Sequence, residues 1–247
     1  MRGVTSLLAL GDSISCGEGV GIQLHRTQTW VAQLARALDA DVELLARSGA
    51  RVRDVRAEQL PLALARPAPL VTMLIGLNDV IRTGFDADLV RHDLHAVATA
   101  LRAPGRTLML LRLHDPTLQL PLPTRLRRHF VERVRVINAA IDALSGDGVV
   151  VVDLARIGAL RQRGAWAIDR LHPGPVGHRA IAAAATLALR DAGYPVPSPI
   201  PMPVVPKGPT RRAEGRWLLR HFVPYLARHL RHVGPPLARA LVGRVPG

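Results

Sequence analysis

What the sequence lacks already narrows the class of protein. One cysteine, Cys16, occurs in 247 residues, which excludes an internal disulfide and a metal site built from several cysteines. Aromatic residues make up only 3% of the chain, so the core has to consist mainly of Leu, Val, Ala and Ile. No apolar run reaches the roughly 18 to 20 residues that a membrane-spanning helix needs. With 48% hydrophobic residues, the chain is instead suited to one sizeable globular core, or to a core domain with an appendage.

Short apolar segments alternate along the chain with segments of helical periodicity. The strand-like segments are 4–10, 41–46, 70–75, 107–113 and 149–152, and the helical ones are 29–38, 51–60, 86–102, 122–144 and 175–192. Within 86–102, Leu89, Leu94, Val97 and Leu101 predict the buried side. Strands that are apolar on both faces and separated by helices predict a parallel sheet covered on both sides. Right-handed crossovers then give a three-layer α/β/α sandwich with five strands, which we assign to a domain of residues 1–194.

The C-terminal part of the chain has a different composition. Residues 195–209 contain seven prolines, which predicts a semi-rigid extended linker. Residues 210–247 are predicted to be a basic, amphipathic helical extension, with the helix over 210–233. Residues 198–247 contain nine basic residues and one acidic residue, so they carry +8 of the net charge of +14. Packing across the domain of residues 1–194 is the favoured role, ahead of peripheral contact with an anionic membrane, and nucleic acid is the least favoured partner.

Polar residues collect where the predicted strands end. In an open parallel sheet the ligand site lies outside the carboxyl ends of the strands. The residues that follow the successive strands are Gly11-Asp12-Ser13, Ser48-Gly49, Asn78-Asp79, His114-Asp115 and, further downstream of the last strand, Asp169 and His172. These residue types are suited to acyl chemistry, and we expect them at one edge of the sheet.

Ser13, His172 and Asp169 are the candidate catalytic residues. A serine hydroxyl is a weak nucleophile until a base takes its proton, and His172 can be that base. Asp169 lies three residues before His172, so its carboxylate can reach the imidazole Nδ1, fix the tautomer and stabilise the imidazolium. Cys16 is an alternative nucleophile, although a packed structural role is favoured for it. His114 is either a lining residue of the substrate pocket, a rival base beside Asp115, or a solvated residue.

Four sequence blocks resemble those of the SGNH (GDSL-type) hydrolase family. They are Gly11-Asp12-Ser13, Gly49, Gly76-Leu77-Asn78-Asp79 and Asp169-x-x-His172, in the family's order and spacing, within a resemblance that covers about residues 4–192. Ile14 stands where the family usually has leucine. The resemblance implies a flavodoxin-like sheet, an acyl-enzyme formed on serine, and an oxyanion hole made by the backbone N–H groups of Ser13 and Gly49 and the side-chain amide of Asn78. It implies no metal and no organic cofactor.

Three functions follow as hypotheses. The first is a serine esterase or lipase, with a deacetylase as one form of it, acting on a small-molecule or lipid ester. The second is an acyltransferase that moves the acyl group to a sugar, lipid or natural-product alcohol through the same acyl-enzyme. The third is a non-catalytic protein that binds membrane or nucleic acid through its basic tail.

A cytoplasmic location is expected. The first ten residues have one charge and a brief apolar stretch, which resembles a short signal peptide. Cleavage there would remove the strand that presents Ser13, so we predict neither a signal peptide nor a transmembrane helix.

Overall fold

A computed structural model describes residues 4–19, 22–120 and 122–222. Among them, five strands form one parallel sheet and two short strands form an antiparallel pair. In chain order the strands are β1 (Ser6–Gly11), β2 (Glu18–Gly19), β3 (Ile22–Gln23), β4 (Asp41–Leu44), β5 (Leu70–Leu74), β6 (Thr107–Arg112) and β7 (Val149–Asp153). The order in the large sheet is β4-β1-β5-β6-β7. The chain places β4 on one side of β1 and then adds β5, β6 and β7 on the other side. The strand order therefore switches at β1, and this is where a ligand site is expected.

Helices cover both faces of the sheet. They are α1 (Ser13–Cys16), α2 (Trp30–Leu38), α3 (Val52–Asp54), α4 (Leu60–Leu64), α5 (Leu77–Ile81), α6 (Ala87–Leu101), α7 (Thr124–Asp142), α8 (Pro175–Asp191) and α9 (Arg211–Trp217), with π-helical turns at Val55–Gln59 and Leu218–Phe222. α2 packs against α8, and α6 packs against α7. The crossover from β1 to β4 and the crossovers from β5 to β6 and from β6 to β7 run in opposite directions along the sheet. Because each crossover is right-handed, the two helix pairs lie on opposite faces. The predicted three-layer α/β/α fold with five parallel strands is thereby confirmed.

The expectation that all strands are apolar on both faces holds for the central strands and is wrong for β4. β5 is buried along its whole length, whereas every residue of β4 is exposed. Val42 and Leu44 keep 44% and 46% of their surface accessible. β4 is an edge strand, so it lacks a neighbour on one side, and its polar residues Asp41 and Glu43 are tolerated there.

The Thr29 hydroxyl accepts a hydrogen bond from the Ala32 N–H, and so caps α2. Helix α7 begins at Thr124. In α6, Leu89 is 61% exposed, so its predicted place on the buried side is wrong. Val90, one residue further along the helix, is buried instead.

The segment after α8 lies along the α/β/α sandwich. Residues 195–210 contain no helix or strand, and the Ser198 N–H donates to the Ala37 carbonyl at 3.0 Å. Val196, Ile200 and Val205 are partly buried against the main core. The predicted helix over 210–233 is present up to residue 222, while 223–233 and the tail to 247 lie outside the described residues. In the part of the chain that the structure describes, no helix has the length and apolar character that crossing a bilayer requires.

Candidate active site

Gly11 ends β1 and determines where Ser13 is placed. Its φ of +140° is rarely adopted by residues with a side chain, and a Cβ on this residue would lie 2.2 Å from the Leu74 carbonyl oxygen of β5. The Gln59 side chain binds both backbone groups of Gly11, because it accepts from the Gly11 N–H at 2.8 Å and donates to the Gly11 carbonyl at 2.9 Å. The chain therefore leaves β1 in one direction, immediately before Ser13.

Asp12 is the N-cap of α1 and leaves the serine amide available. Its Oδ1 accepts from the Ile14 N–H at 3.0 Å, as capping carboxylates do. Ser13 is then the first residue of the helix, where a backbone N–H has no helical partner. Within the described residues, the Ser13 N–H has no hydrogen-bond acceptor. The residue itself is only 7% exposed.

Ser13, His172 and Asp169 form a continuous hydrogen-bonded chain. The Ser13 Oγ lies 3.0 Å from Nε2 of His172, and Nδ1 of the same ring lies 2.7 Å from Oδ2 of Asp169. The other carboxylate oxygen, Oδ1, accepts from the N–H groups of Leu171 and His172 at 3.0 Å each. Asp169 thus holds both the ring of His172 and the backbone that carries it. The three residues that the sequence analysis placed together are in contact.

A short hairpin presents the histidine and the aspartate. Trp166 and Pro173 pair in an antiparallel bridge, and the Ala167 N–H donates to the His172 carbonyl at 2.9 Å. His114, which follows β6, packs its ring against Trp166 with 4.4 Å between ring centroids. We refer to residues 166–173 as the catalytic hairpin.

Gly49 and Asn78 follow β4 and β5 along the chain, and these two strands pair with β1 on either side. The Asn78 Nδ2 donates to the Ala50 carbonyl at 3.0 Å, which occupies one of its two N–H bonds. Asp79 Oδ2 accepts from the Val52 N–H at 3.1 Å, so the 49–52 loop has two side-chain tethers. Gly49 has a φ of +78°. Among the residues that the structure describes, its N–H has no acceptor.

Two buried carboxyl groups border the site. Burial raises the pKa of Asp12 to about 7 and that of Asp79 to about 6, because a charged carboxylate loses its hydration there. For Asp12, the hydrogen bond from Ile14 and the charge of His172 act in the opposite direction. The protonation of both groups therefore changes near neutral pH.

Replacing Asp12 with asparagine should alter how stability depends on pH. The pKa of about 7 in the folded state lies above the ordinary pKa of 3.8 for an aspartate, so the folded state holds this proton to higher pH than the unfolded chain does. Stability is therefore lost as pH rises through this interval. Asparagine can still cap α1 and has no charge to desolvate. Between pH 5 and pH 8, the free energy of unfolding of Asp12→Asn should rise by about 2–3 kcal/mol relative to wild type.

Urea unfolding of both proteins at pH 5 and pH 8 measures this difference. Asp147 is an exposed carboxyl group, and Asp147→Asn serves as the matched control with an unchanged pH dependence. Parallel pH profiles for wild type and Asp12→Asn would contradict the prediction.

The competing residues are accounted for otherwise. The Cys16 thiol donates to the Ala46 carbonyl at 3.1 Å, and burial raises its pKa to about 12, so it is a poor nucleophile. No hydrogen bond joins His114 to Asp115, whose Oδ1 accepts from the Thr117 N–H and hydroxyl. Burial lowers the pKa of His114 to about 4, so its ring is neutral at ordinary pH.

Sequence reasoning missed several residues of the site. Gln59 holds Gly11 from 48 residues away, and no local pattern marks it. The Arg82 guanidinium lies 3.0 Å from the position of a Cβ on Gly49, but nothing in the sequence separates it from the many other arginines. Asp79 was visible as the neighbour of Asn78, and its place in that block was the one available signal.

The fold and the site define the class of this protein as a carboxylic ester hydrolase. Residues 9–180 match the GDSL-like lipase/acylhydrolase family, and the chain belongs to that family. This match confirms the family resemblance seen in the sequence. The segment from residue 195 onward lies beyond the matched region.

Solved structures support the same fold. TesA is 26% identical, with a TM-score of 0.60, and the match covers 76% of this chain and 99% of TesA. A catalytic mutant of Axe2, an acetylxylan esterase from Geobacillus stearothermophilus, is 23% identical with a TM-score of 0.60 and coverage of 79% and 97%. Esterase EstA from Pseudoalteromonas sp., inhibited by monoethylphosphonate, is 18% identical with a TM-score of 0.57 and coverage of 76% and 98%. No curated protein matches the chain.

Proposed function

We propose that the protein hydrolyses carboxylic esters through an acyl-enzyme on Ser13, with His172 as general base and acid and Asp169 as its orienting partner. The observation that carries this proposal is the chain of contacts of 3.0 Å and 2.7 Å from hydroxyl to imidazole to carboxylate. A serine, a base within hydrogen-bond reach and a third group that orients the base are the elements of an activated nucleophile.

The reaction proceeds in two half-reactions. The Ser13 Oγ attacks the ester carbonyl while His172 Nε2 takes the hydroxyl proton, and Asp169 stabilises the imidazolium that forms. The tetrahedral intermediate collapses when the imidazolium gives that proton to the leaving alcohol. Water then attacks the acyl-serine, with His172 again acting first as base and then as acid. No metal or organic cofactor takes part in these steps.

The oxyanion is stabilised by the Ser13 N–H, the Gly49 N–H and the Asn78 amide. The two backbone groups are supported by their lack of an acceptor in the described structure, and Asn78 by its second, uncommitted N–H. Such donors stabilise charge that develops only during the reaction, so they lower the barrier more than they tighten substrate binding.

Asn78→Ala should therefore lower kcat by about 10²–10³-fold with a small change in KM. Because Asn78 also tethers the 49–52 loop, Asp79→Ala is the comparison: it removes the neighbouring tether to Val52 and leaves the Asn78 donor in place. We expect steady-state kinetics to show a much smaller loss for Asp79→Ala. Equal losses in the two variants would assign Asn78 to loop support alone.

A serine-reactive phosphonate tests the proposed function directly. The wild-type protein should gain the mass of one phosphonyl group, mapped to the peptide that contains Ser13, and should lose hydrolysis of nitrophenyl esters in parallel. Hydrolysis that persists without labelling, or a label on another peptide, would contradict the proposal.

Transfer of the acyl group to an alcohol is the second candidate. Beside Gly49 there is a cavity of about 180 Å³. Its lining includes the polar side chains of Arg47, Ser48, Asp54 and Glu58. Hydrogen-bonding side chains suit a hydroxylated group better than a long alkyl chain, which supports a sugar-like alcohol. Product analysis with added alcohols separates the reactions, since acid as the sole product at every alcohol concentration excludes transfer.

The remaining hypotheses concern His114 and the basic tail. A pocket-lining role for His114 stays a proposal, supported by its place after β6 and its contact with the catalytic hairpin. Peripheral contact with anionic membrane through 210–233 also stays a proposal. Trp217 is only 9% exposed, so within the described part of this segment the exposed basic side chains of Arg212, Arg216 and Arg220 are the candidate contacts. Cytoplasmic location remains a prediction.

A further inference from the structure

The C-terminal helix α9 reaches the catalytic hairpin through Glu214. The side chain of this residue is 8% exposed and forms ion pairs with Arg163 and Arg170. Its Oε1 accepts from Arg163 Nε at 2.8 Å and from Arg170 Nε at 3.2 Å, and its Oε2 accepts from Arg170 Nη2. One carboxylate thus joins two guanidinium groups that come from either side of Asp169.

Arg163 binds the backbone of the segment that leads into Asp169. Its Nη1 donates to the carbonyls of Trp166 at 3.1 Å and Ala167 at 2.9 Å, and its Nη2 lies 3.3 Å from the carbonyl of Ile168. These are the three residues immediately before Asp169. The planar guanidinium presents its donors in a fixed arrangement, so it sets the path of this backbone.

Arg170 lies in the turn between Asp169 and His172. Its φ of +60° is left-handed, which is uncommon for a residue with a side chain. Nη1 of the same side chain donates to the Gln119 carbonyl at 3.3 Å. The surroundings therefore maintain a turn that Arg170 would not prefer by itself, and Glu214 is the acidic partner in those surroundings.

The backbone of residues 206–208, which leads to α9, packs against Arg163 and Gly164. A Cβ on Gly164 would be 1.8 Å from the Pro206 carbonyl oxygen, and one on Gly208 would be 2.5 Å from Arg163 Cγ. Two glycines thus permit a close approach that other residues would prevent. Glu214 is therefore brought to Arg163 by a packed segment.

Charge makes Glu214 necessary at this position. Two guanidinium groups held close together, with side chains only 22% and 31% exposed, repel each other unless an anion lies between them. The hydrogen bond from Arg170 is the main cause that holds the pKa of Glu214 below its ordinary value, so the carboxylate is charged at neutral pH.

We propose that Glu214 is a positioning residue for the catalytic hairpin, through which the C-terminal extension keeps Asp169 and His172 aligned with Ser13. This inference rests on the proposed function. Because Glu214 acts through Arg163 and Arg170 on the groups that transfer the proton, its loss affects the chemical step more than substrate binding.

Glu214→Gln in the full-length protein tests this role, since the substitution keeps the size of the side chain and removes its charge. We expect kcat to fall by about tenfold to a hundredfold, the loss typical of a small misplacement of reacting groups, while KM changes by less than about twofold. Glu132→Gln is the matched control, because Glu132 pairs with Arg135 on the exposed side of α7. It should retain wild-type kcat.

Active-site titration with the phosphonate separates positioning from stability. Positioning predicts that every Glu214→Gln molecule is labelled at Ser13, at a rate reduced by the same factor as kcat. A labelled fraction that falls in proportion to kcat, with the remaining molecules reacting at the wild-type rate, would assign Glu214 a purely structural role. An unchanged kcat would also overturn the proposal. Absence of labelling in wild type would instead contradict the proposed function.

Arg163→Lys is the second variant if Glu214→Gln does not yield folded protein. Lysine keeps a positive charge opposite Glu214. Its single ammonium group cannot pair with Glu214 and also donate to the three carbonyls that Arg163 contacts. A fall in kcat of similar size, with complete labelling, supports the positioning role, and wild-type kcat overturns it.

Discussion

Ser13→Ala is expected to lower kcat for ester hydrolysis by at least about 10⁴-fold, because it removes the nucleophile. The hydroxyl is 3.0 Å from His172 Nε2, and no neighbouring group replaces it. The Cys16 thiol donates to a backbone carbonyl and remains protonated. The weak activity that remains should come from direct attack of water on the ester, with the proposed oxyanion donors stabilising the charge that develops on the carbonyl oxygen.

The release of nitrophenol from short acyl esters measures this loss, and urea unfolding shows whether the fold is kept. Ser15→Ala is the matched control, since Ser15 is a buried serine on the same short helix, and it should keep most of the activity. The phosphonate label should disappear in Ser13→Ala and remain in Ser15→Ala. Retention of more than about a hundredth of wild-type kcat in a folded Ser13→Ala variant would contradict the assignment of the nucleophile.

Asp169→Asn is expected to lower kcat by about 10⁴-fold while leaving the hairpin in place. Asparagine can keep Oδ1 as the acceptor for the N–H groups of Leu171 and His172. Its NH₂ group then faces Nδ1 of His172, which has to act as an acceptor. The ring consequently carries its proton on Nε2, facing Ser13, and cannot take the serine proton.

Steady-state kinetics over a range of pH, together with urea unfolding, test this prediction. Asp86→Asn is the matched control, because the Asp86 Oδ1 also accepts from two backbone N–H groups, those of Asp88 and Leu89, with no histidine beside it. The control should retain full activity and near wild-type stability. If Asp169→Asn retained a tenth of wild-type kcat, the carboxylate would not be setting the tautomer of His172.

Local sequence made the Ser-Asp-His arrangement predictable. Ser13 follows an apolar strand that ends at a glycine, and the three-residue spacing of Asp169 and His172 is short enough for one turn of chain to join them. The carboxyl ends of parallel strands meet at one edge, so residues after successive strands were expected to converge. The contact between Ser13 and His172 shows this for residues downstream of β1 and β7, and the hydrogen bond from Asn78 to Ala50 shows it for residues downstream of β5 and β4.

The exposed strand β4 and the misplaced Leu89 show why other features could not be predicted. A run of alternating or apolar residues does not reveal which strand will be at the edge of a sheet, because this depends on the order in which strands pair. Similarly, Leu89 and Val90 are both apolar, and which of them faces the core depends on how the helix is rotated against its neighbours, which periodicity alone does not set.

The sequence alone determined the layered fold and the three residues proposed for catalysis, because these depend on short-range pattern and on the direction of parallel strands. Only the tertiary structure decided that Gln59 holds Gly11 and that Glu214 joins Arg163 to Arg170. These partners are separated by 44 to 51 residues along the chain. A hydrogen bond forms only when its two groups are close in space. For residues so far apart in the sequence, the folding of the whole chain sets that distance, and no local pattern records it.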